Sequence, residues 1–213
     1  MNIHTLYNFL FRVTGTRRKR MKLFSDIMGP ADDHRIIDIG GTPYNWQHLD
    51  VQPHVTLVNK NAPTQDPAEL RAGMELVEGD ATRLPFADDD FDIAFSNSVI
   101  EHLYNRDNQV RFVTEANRVA KRIWIQTPSR EFFLEPHLIT PFIHWLPDRW
   151  KRTLYRNFTV WGLMNRPTAE QVDDLVDEIQ LLRRSDVDAL FPDCEILVER
   201  WLGMPKSYIA YRR

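Results

Sequence analysis

Arg35-Ile36-Ile37-Asp38-Ile39-Gly40-Gly41 is the stretch whose reading decides the fold. A short run rich in branched apolar residues reads as a strand buried on both faces. It ends in an acid and two glycines, and glycine lets a backbone approach a ligand with no Cβ in the way. In open parallel sheets ligands bind at the carboxyl ends of the strands, where the strand order reverses. The loop that begins at Asp38-Ile39-Gly40-Gly41 is therefore expected to carry a small-molecule cofactor. Taken alone, Asp38 could equally cap a helix and the glycines form a plain turn.

Four more runs of the same character lie downstream: Val55-Thr56-Leu57-Val58, Glu75-Leu76-Val77-Glu78, Phe91-Asp92-Ile93-Ala94-Phe95-Ser96 and Arg122-Ile123-Trp124-Ile125-Gln126. The pattern between the last two predicts a helix over about 106–120, with Val110, Val113, Ala116 and Ala120 along one side. Strands alternating with helices imply βαβ units and a parallel sheet over residues 35–127.

The flanks read differently. Residues 5–28 predict a helical segment, broken near Gly15, with Leu6, Phe9, Leu10 and Val13 on one face. The basic run Arg17-Arg18-Lys19-Arg20 with Lys22 follows, and Gly29-Pro30 stops the helix. Residues 128–167 are punctuated by prolines and crowded with Phe132, Phe133, Phe142, Trp145, Trp150, Tyr155, Phe158 and Trp161, which predicts an aromatic insertion with short helices. Thr168-Ala169-Glu170-Gln171 is a capping box opening a helix, with Val172, Leu175, Val176, Ile179 and Leu182 as its stripe. A short helix from Ser185 to Phe191 precedes two alternating runs, 195–201 and 207–211, joined through Gly203-Met204-Pro205 as an antiparallel hairpin. The expected organisation is one domain over 1–213. It comprises an N-terminal helical segment (1–30), a cofactor-binding core (35–127), an aromatic lid (128–167) and a closing helix and hairpin (168–213).

Composition bounds the function. A chain of 213 residues, 43% hydrophobic and 27% charged, suits a globular protein with a buried core. The net charge of −3 argues against nucleic acid as a partner. The lone Cys194 excludes an internal disulfide and suits a reducing cytoplasm. No run reaches the ~18–20 apolar residues of a membrane span, and the first residues do not read as a signal peptide. The basic run 17–22 reads first as a solvated helix face. Peripheral contact with an anionic membrane, where a lipid-linked substrate would reside, is its second reading.

The loop chemistry narrows the cofactor. A nicotinamide dinucleotide needs G-x-G-x-x-G, and Gly40-Gly41-Thr42-Pro43-Tyr44-Asn45 lacks the second and third glycines. Asp38 would repel a pyrophosphate and suits a ligand carrying an ammonium group. Asp38-Ile39-Gly40 resembles the first motif of class I S-adenosylmethionine-dependent methyltransferases, with Thr42 and Tyr44 at positions often held by glycine. Glu78-Gly79-Asp80-Ala81, Leu84-Pro85-Phe86, Phe91–Asn97 and Glu101-His102-Leu103 resemble the methyltransferase type 11, ubiquinone-biosynthesis-like branch. The resemblance implies a Rossmann-like α/β fold: a mostly parallel seven-stranded sheet with an antiparallel C-terminal hairpin and helices on both faces. It implies S-adenosylmethionine as cofactor, held by the loop Asp38, Gly40, Gly41 and Thr42. Asp80 would accept from the adenine amino group, Ala81 would touch adenine through its backbone, and Asn97-Ser98 would border the methionine part. Asn59 stands where an acid usually meets the ribose, and its amide oxygen can still accept. His102 follows the fourth strand at the same end and is counted with these residues.

Methyl transfer to a hydroxyl needs a proton removed, usually by His or a carboxylate. Candidates lie in the aromatic insertion: His144 and His137 as general base, Glu135 to orient the base or the acceptor. A metal site built from Glu135, His137 and His144 has no diagnostic spacing, and no metal is assigned. Pro128–Phe133 with Glu135, His137 and His144-Trp145-Leu146-Pro147 resembles small bacterial sugar O-methyltransferases of polysaccharide and glycolipid pathways. Three functions follow: O-methylation of a saccharide or lipid-linked hydroxyl, methylation of a quinone-like or lipid small molecule, or a degenerate, non-catalytic fold kept for binding. Chains of this size in such families are often homodimers, though no residue here shows it.

Overall fold

A computed structural model describes residues 16–60 and 70–213. Leu6, Phe9, Leu10 and Val13 lie outside the described residues. Helix α1 (Thr16–Met28) leads into strand β1 (Arg35–Ile39). The short helix α2 (Pro43–Trp46) precedes β2 (His54–Asn59) and β3 (Met74–Glu78). Then come β4 (Phe91–Asn97), a 3-10 turn (Ile100–His102), α3 (Arg106–Val119) and β5 (Ala120–Pro128). The insertion holds the two-residue strands β6 (Leu134–Glu135) and β7 (Thr140–Pro141), a 3-10 turn (Ile143–Trp145), α4 (Asp148–Phe158) and α5 (Val160–Asn165). Helices α6 (Ala169–Glu178) and α7 (Arg184–Leu190) and strands β8 (Glu195–Trp201) and β9 (Met204–Arg212) close the chain.

The sheet has seven strands in the order β3-β2-β1-β4-β5-β9-β8. The first five run parallel, and β9 is antiparallel to both β5 and β8. The order reverses between β1 and β4, which puts the switch point of the fold directly after Ile39. Side chains alternate across the sheet. Ile36, Phe95, Trp124 and Ile209 join Met21, Phe24 and Met28 of α1 on one face. Ile37, Ile123 and Ala210 meet Phe112, Ala116 and Val119 of α3, with Val187 and Leu190 of α7, on the other.

The expected strands are all present: β1 and β8 keep their expected bounds, and the others run one to four residues longer. Several local expectations are corrected. Val110 is exposed; the buried side of α3 is Gln109, Phe112, Val113, Ala116 and Val119. The capping box at Thr168 is formed with Gln171, but α6 ends at Glu178, so Ile179 and Leu182 lie beyond it. The hairpin turns at Leu202-Gly203, both with positive φ, and Met204 and Pro205 belong to β9. The basic run is not wholly solvated, because Arg20 is only 6% exposed and points inward. The insertion builds its own small core, where Leu138, Ile143 and Tyr155 pack on Val172 and Val176 of α6. Arg152 of α4 ties the same two helices by pairing with Asp173 and Asp177.

Candidate active site

The carboxyl ends of β1 to β4 bring most of the expected cofactor residues to one edge. Gly40 turns with φ +74°, and its N–H donates to the Val58 carbonyl at 2.7 Å. A Cβ at Gly40 would strike Val99, and one at Gly41 would fall inside the Asp38 carboxylate. The two glycines are thus required by the protein's own packing. Asp38 is fully buried beneath them; Oδ2 accepts from the Trp46 indole at 2.7 Å, and Oδ1 is buried with no partner. Burial pushes its pKa up to about 7, against the Trp46 bond, which lowers it. Asp38 therefore supports the loop from below. Thr42 stands at the N-cap of α2 without a side-chain cap bond.

Asn59 donates its amide N–H to the Gly41 carbonyl at 3.1 Å, which turns Oδ1 to act as the acceptor. Asp80 accepts from the Thr82 N–H at 2.8 Å and hydroxyl at 2.7 Å, and these bonds hold its carboxyl below the usual range. Ala81 packs against the core below. Asn97 Oδ1 accepts from Arg20 at 2.7 Å. Ser98, at φ +62°, donates its hydroxyl to Gln126 Oε1 at 3.0 Å, and the same oxygen accepts from Arg20 at 3.1 Å. Arg20 also pairs with Glu199 at 2.6 Å. Arg20 is a residue of this edge that sequence reasoning missed. The donor set suits an adenosyl group: a carboxylate at the end of β3 for an exocyclic amine, and an amide oxygen at the end of β2 for hydroxyls. It matches S-adenosylmethionine at its nucleoside half.

A second cluster lies past the ends of β4 and β5. Glu101, in the 3-10 turn, is fully buried; Oε2 accepts from the Thr127 hydroxyl at 3.1 Å, while Oε1 has no partner and stands 3.9 Å from His137 Nε2. His137 donates from Nδ1 to Glu135 Oε1 at 2.6 Å, and Glu135 Oε2 accepts from the Leu138 N–H at 2.5 Å. The β6–β7 turn folds His137 back over Glu135 to make this pair. Burial acts to raise the Glu135 pKa, but the His137 charge and the hydrogen bonds outweigh it and the net shift is down. Burial acts to lower that of His137, but Glu135, then Glu101 and Glu178, outweigh it and the net shift is up. His102 meets the His137 ring edge to face at 4.7 Å and donates from Nδ1 to Glu178 at 2.8 Å.

Glu135, His137 and His102 are therefore brought together, with Glu101 and Glu178 beside them. His144 makes no hydrogen bond to this cluster, although the Glu135 charge still acts on it. Its Nε2 donates to the Arg130 carbonyl at 3.0 Å, and its Nδ1 is buried with no partner. Burial holds its pKa down, so the ring is neutral at pH 7. Among the described residues no helix is long and apolar enough to cross a membrane.

An open sheet of this order with a reversed C-terminal hairpin is the Rossmann-like class I methyltransferase fold. Residues 40–122 match the family model of a methyltransferase domain. The chain carries an S-adenosylmethionine-dependent methyltransferase domain, and S-adenosylmethionine is its cofactor. No curated protein matches the sequence. Solved structures share the fold at low identity. The PH0226 protein of Pyrococcus horikoshii OT3 is 16% identical with a TM-score of 0.60, over 94% of this chain and 89% of that one. A SAM-dependent methyltransferase of Archaeoglobus fulgidus is 12% identical at 0.57, over 97% and 100%. The 1,6-didemethyltoxoflavin-N1-methyltransferase of Burkholderia thailandensis, with bound S-adenosylhomocysteine, is 10% identical at 0.56, over 92% and 76%.

Proposed function

We propose that this enzyme methylates a hydroxyl group of a saccharide, free or lipid-linked, and that the acceptor's proton is handled at the cluster around His137. The observation that carries this reading is the buried pair of His137 and Glu135 facing Glu101. A carboxylate acceptor, already ionised, would need no such machinery. A hydroxyl does, because its proton must leave before or as the new bond forms.

S-adenosylmethionine supplies a methyl already activated on a sulfonium. The chain's task is to bind, orient and keep water out. Asp80 and Asn59 hold the adenosyl group, with Gly40, Gly41 and Thr42 shaping the loop and Ala81 lying against the adenine. Asn97 and Ser98, fixed through Arg20 and Gln126, border the methionyl end. Of the two histidines in the insertion, His137 is the better placed, because a carboxylate orients its ring. His144 anchors the insertion through the Arg130 carbonyl.

A ring-faced rim supports the choice of a sugar. Phe133 packs on Phe142 and Trp201, and Phe142 on Trp145. Phe142, Trp145 and Trp201 stay about half exposed. Aromatic faces of this kind stack on the apolar face of a pyranose. The test is transfer of isotopically labelled methyl from S-adenosylmethionine to a panel of glycans, glycolipids, quinones and amines. Label on a sugar hydroxyl, rising with pH, is expected. Label only on nitrogen or carboxylate, or a rate constant from pH 5 to 9, defeats the reading.

A further inference from the structure

Glu101, His102 and His137 each present a ligand atom, and these atoms lie within 4.8 Å of one another. Two features mark the group as more than a hydrogen-bonded cluster. Both histidines have Nδ1 engaged by a carboxylate, His137 by Glu135 and His102 by Glu178, which leaves Nε2 of each as a lone-pair donor. Carboxylates behind the ligating histidines are the usual support of a metal site. Glu101 Oε1 is a bare oxygen on a fully buried residue, 3.9 Å from His137 Nε2. An uncompensated buried carboxylate oxygen is costly, and a cation removes that cost.

We propose that Glu101, His102 and His137 bind one divalent first-row transition cation through Glu101 Oε1 and the two Nε2 atoms. Two imidazoles and one carboxylate on one side of an ion suit Zn²⁺, Mn²⁺ or Fe²⁺ and leave positions open for water or acceptor. Metal–ligand bonds of roughly 2.0–2.2 Å require the three side chains to draw together slightly. Glu135 does not ligate in this arrangement; it orients His137. The site's catalytic use rests on the proposed hydroxyl acceptor. A hydroxyl on an open position loses its proton to solvent near neutral pH. Its oxygen pair then forms the new O–C bond while the S–C bond breaks and leaves its pair on sulfur. His137 serves there as a ligand.

The experiment uses full-length protein stripped with chelator and dialysed. Titration with Co²⁺, read by its visible absorption, and with Zn²⁺ by calorimetry is expected to give one site per chain. Glu101→Gln and His137→Gln should each weaken binding at least about tenfold, as should His102→Gln, whereas His144→Gln should not. Circular dichroism and S-adenosylhomocysteine affinity confirm that each variant is folded. Absence of stoichiometric binding by the wild type, or equal binding by the folded Glu101→Gln and His137→Gln variants, overturns the proposal. Sugar methylation that survives chelation unchanged, with no metal bound, removes the metal and leaves the O-methyl reading standing. Metal binding without any hydroxyl acceptor does the reverse.

Discussion

The Trp46 indole N–H donates to Asp38 Oδ2 across 2.7 Å, which turns the acidic residue of the glycine loop inward. With its pKa raised to about 7, Asp38 keeps a proton in the folded protein that the unfolded chain releases near pH 4. The folded state binds more protons across that window, so this residue's contribution makes stability fall as pH rises from about 4 to 7. Asp38→Asn keeps an acceptor for Trp46 and cannot ionise. Urea melts from pH 5 to 8 should show the variant gaining on the wild type as pH rises, by a few kcal/mol at most. Parallel curves would show that Asp38 is not the group responsible.

Gly41 has no room for a side chain, since its Cβ would fall inside the Asp38 carboxylate. Gly41→Ala should therefore cost about 1–3 kcal/mol through overpacking. Thermal melts with and without S-adenosylhomocysteine measure it. If Asp38 is the obstacle, combining Gly41→Ala with Asp38→Ala should recover part of the loss. A double variant as unstable as the sum of the two singles would place the strain elsewhere.

Asp80 is the exposed carboxylate of the cofactor edge. Asp80→Ala should weaken S-adenosylhomocysteine binding by roughly 1.5–3 kcal/mol, the worth of a hydrogen bond to a charged group. Asp80 also caps Thr82, so Thr82→Val is the control that loosens the turn while keeping the carboxylate. Calorimetry on both separates contact from scaffold. Equal losses in the two variants would assign Asp80 to the turn alone.

For the acceptor proton, His137 and His144 give opposite expectations. His137→Gln should lower turnover by roughly 10²–10⁴-fold, the usual worth of proton handling, with S-adenosylhomocysteine affinity kept. His144→Ala removes a buried ring that anchors the insertion, so it should lower the melting temperature first. Steady-state kinetics beside melts of each variant tests both. A larger kcat loss in His144→Ala at unchanged stability would hand the role back to His144.

Local signals were legible in the sequence, and pairings across the chain were not. The five parallel strands stood out because short apolar runs ending in turn residues need no partner to be recognised. The Thr168–Gln171 capping box is likewise local. Asp38 was identified as the loop acid, but its inward aim depends on Trp46, which the short α2 sets against it. Nothing in Arg17-Arg18-Lys19-Arg20 marks which cation turns inward; only the helix phase against β8 does. Glu178 closes α6 and meets His102 far away in sequence, a pairing that no spacing rule contains. His137 and His144 share one segment, and the β6–β7 turn alone decides which of them faces a carboxylate.

Arg20 carries the last prediction. Its guanidinium reaches Glu199, Asn97 and Gln126 at once, joining α1 to the hairpin and to the cofactor edge. Burial acts to raise the Glu199 pKa, and the Arg20 charge and bonds outweigh it, so the net shift is down. That contribution to stability is present above the unfolded carboxyl's pKa, near 4.3, and is lost as pH falls through the lower folded value. Arg20→Met leaves the partly buried Glu199 carboxylate with only the Ser207 hydroxyl, a loss of about 1–3 kcal/mol at pH 7. Lys206, whose pKa is held down by burial and then by the Arg20 charge, is relieved in the variant and should offset part of this. The gap between wild type and variant should narrow below pH 4, where Glu199 takes up a proton in the variant. Arg20→Lys should fall between them, because one ammonium cannot span three acceptors. Asn97 loses its tether in both variants, so S-adenosylhomocysteine affinity should drop with stability. Urea melts at pH 7 and 3.5 beside calorimetry check both effects, and a gap that is the same at the two pH values would rule out Glu199 as the origin of the loss.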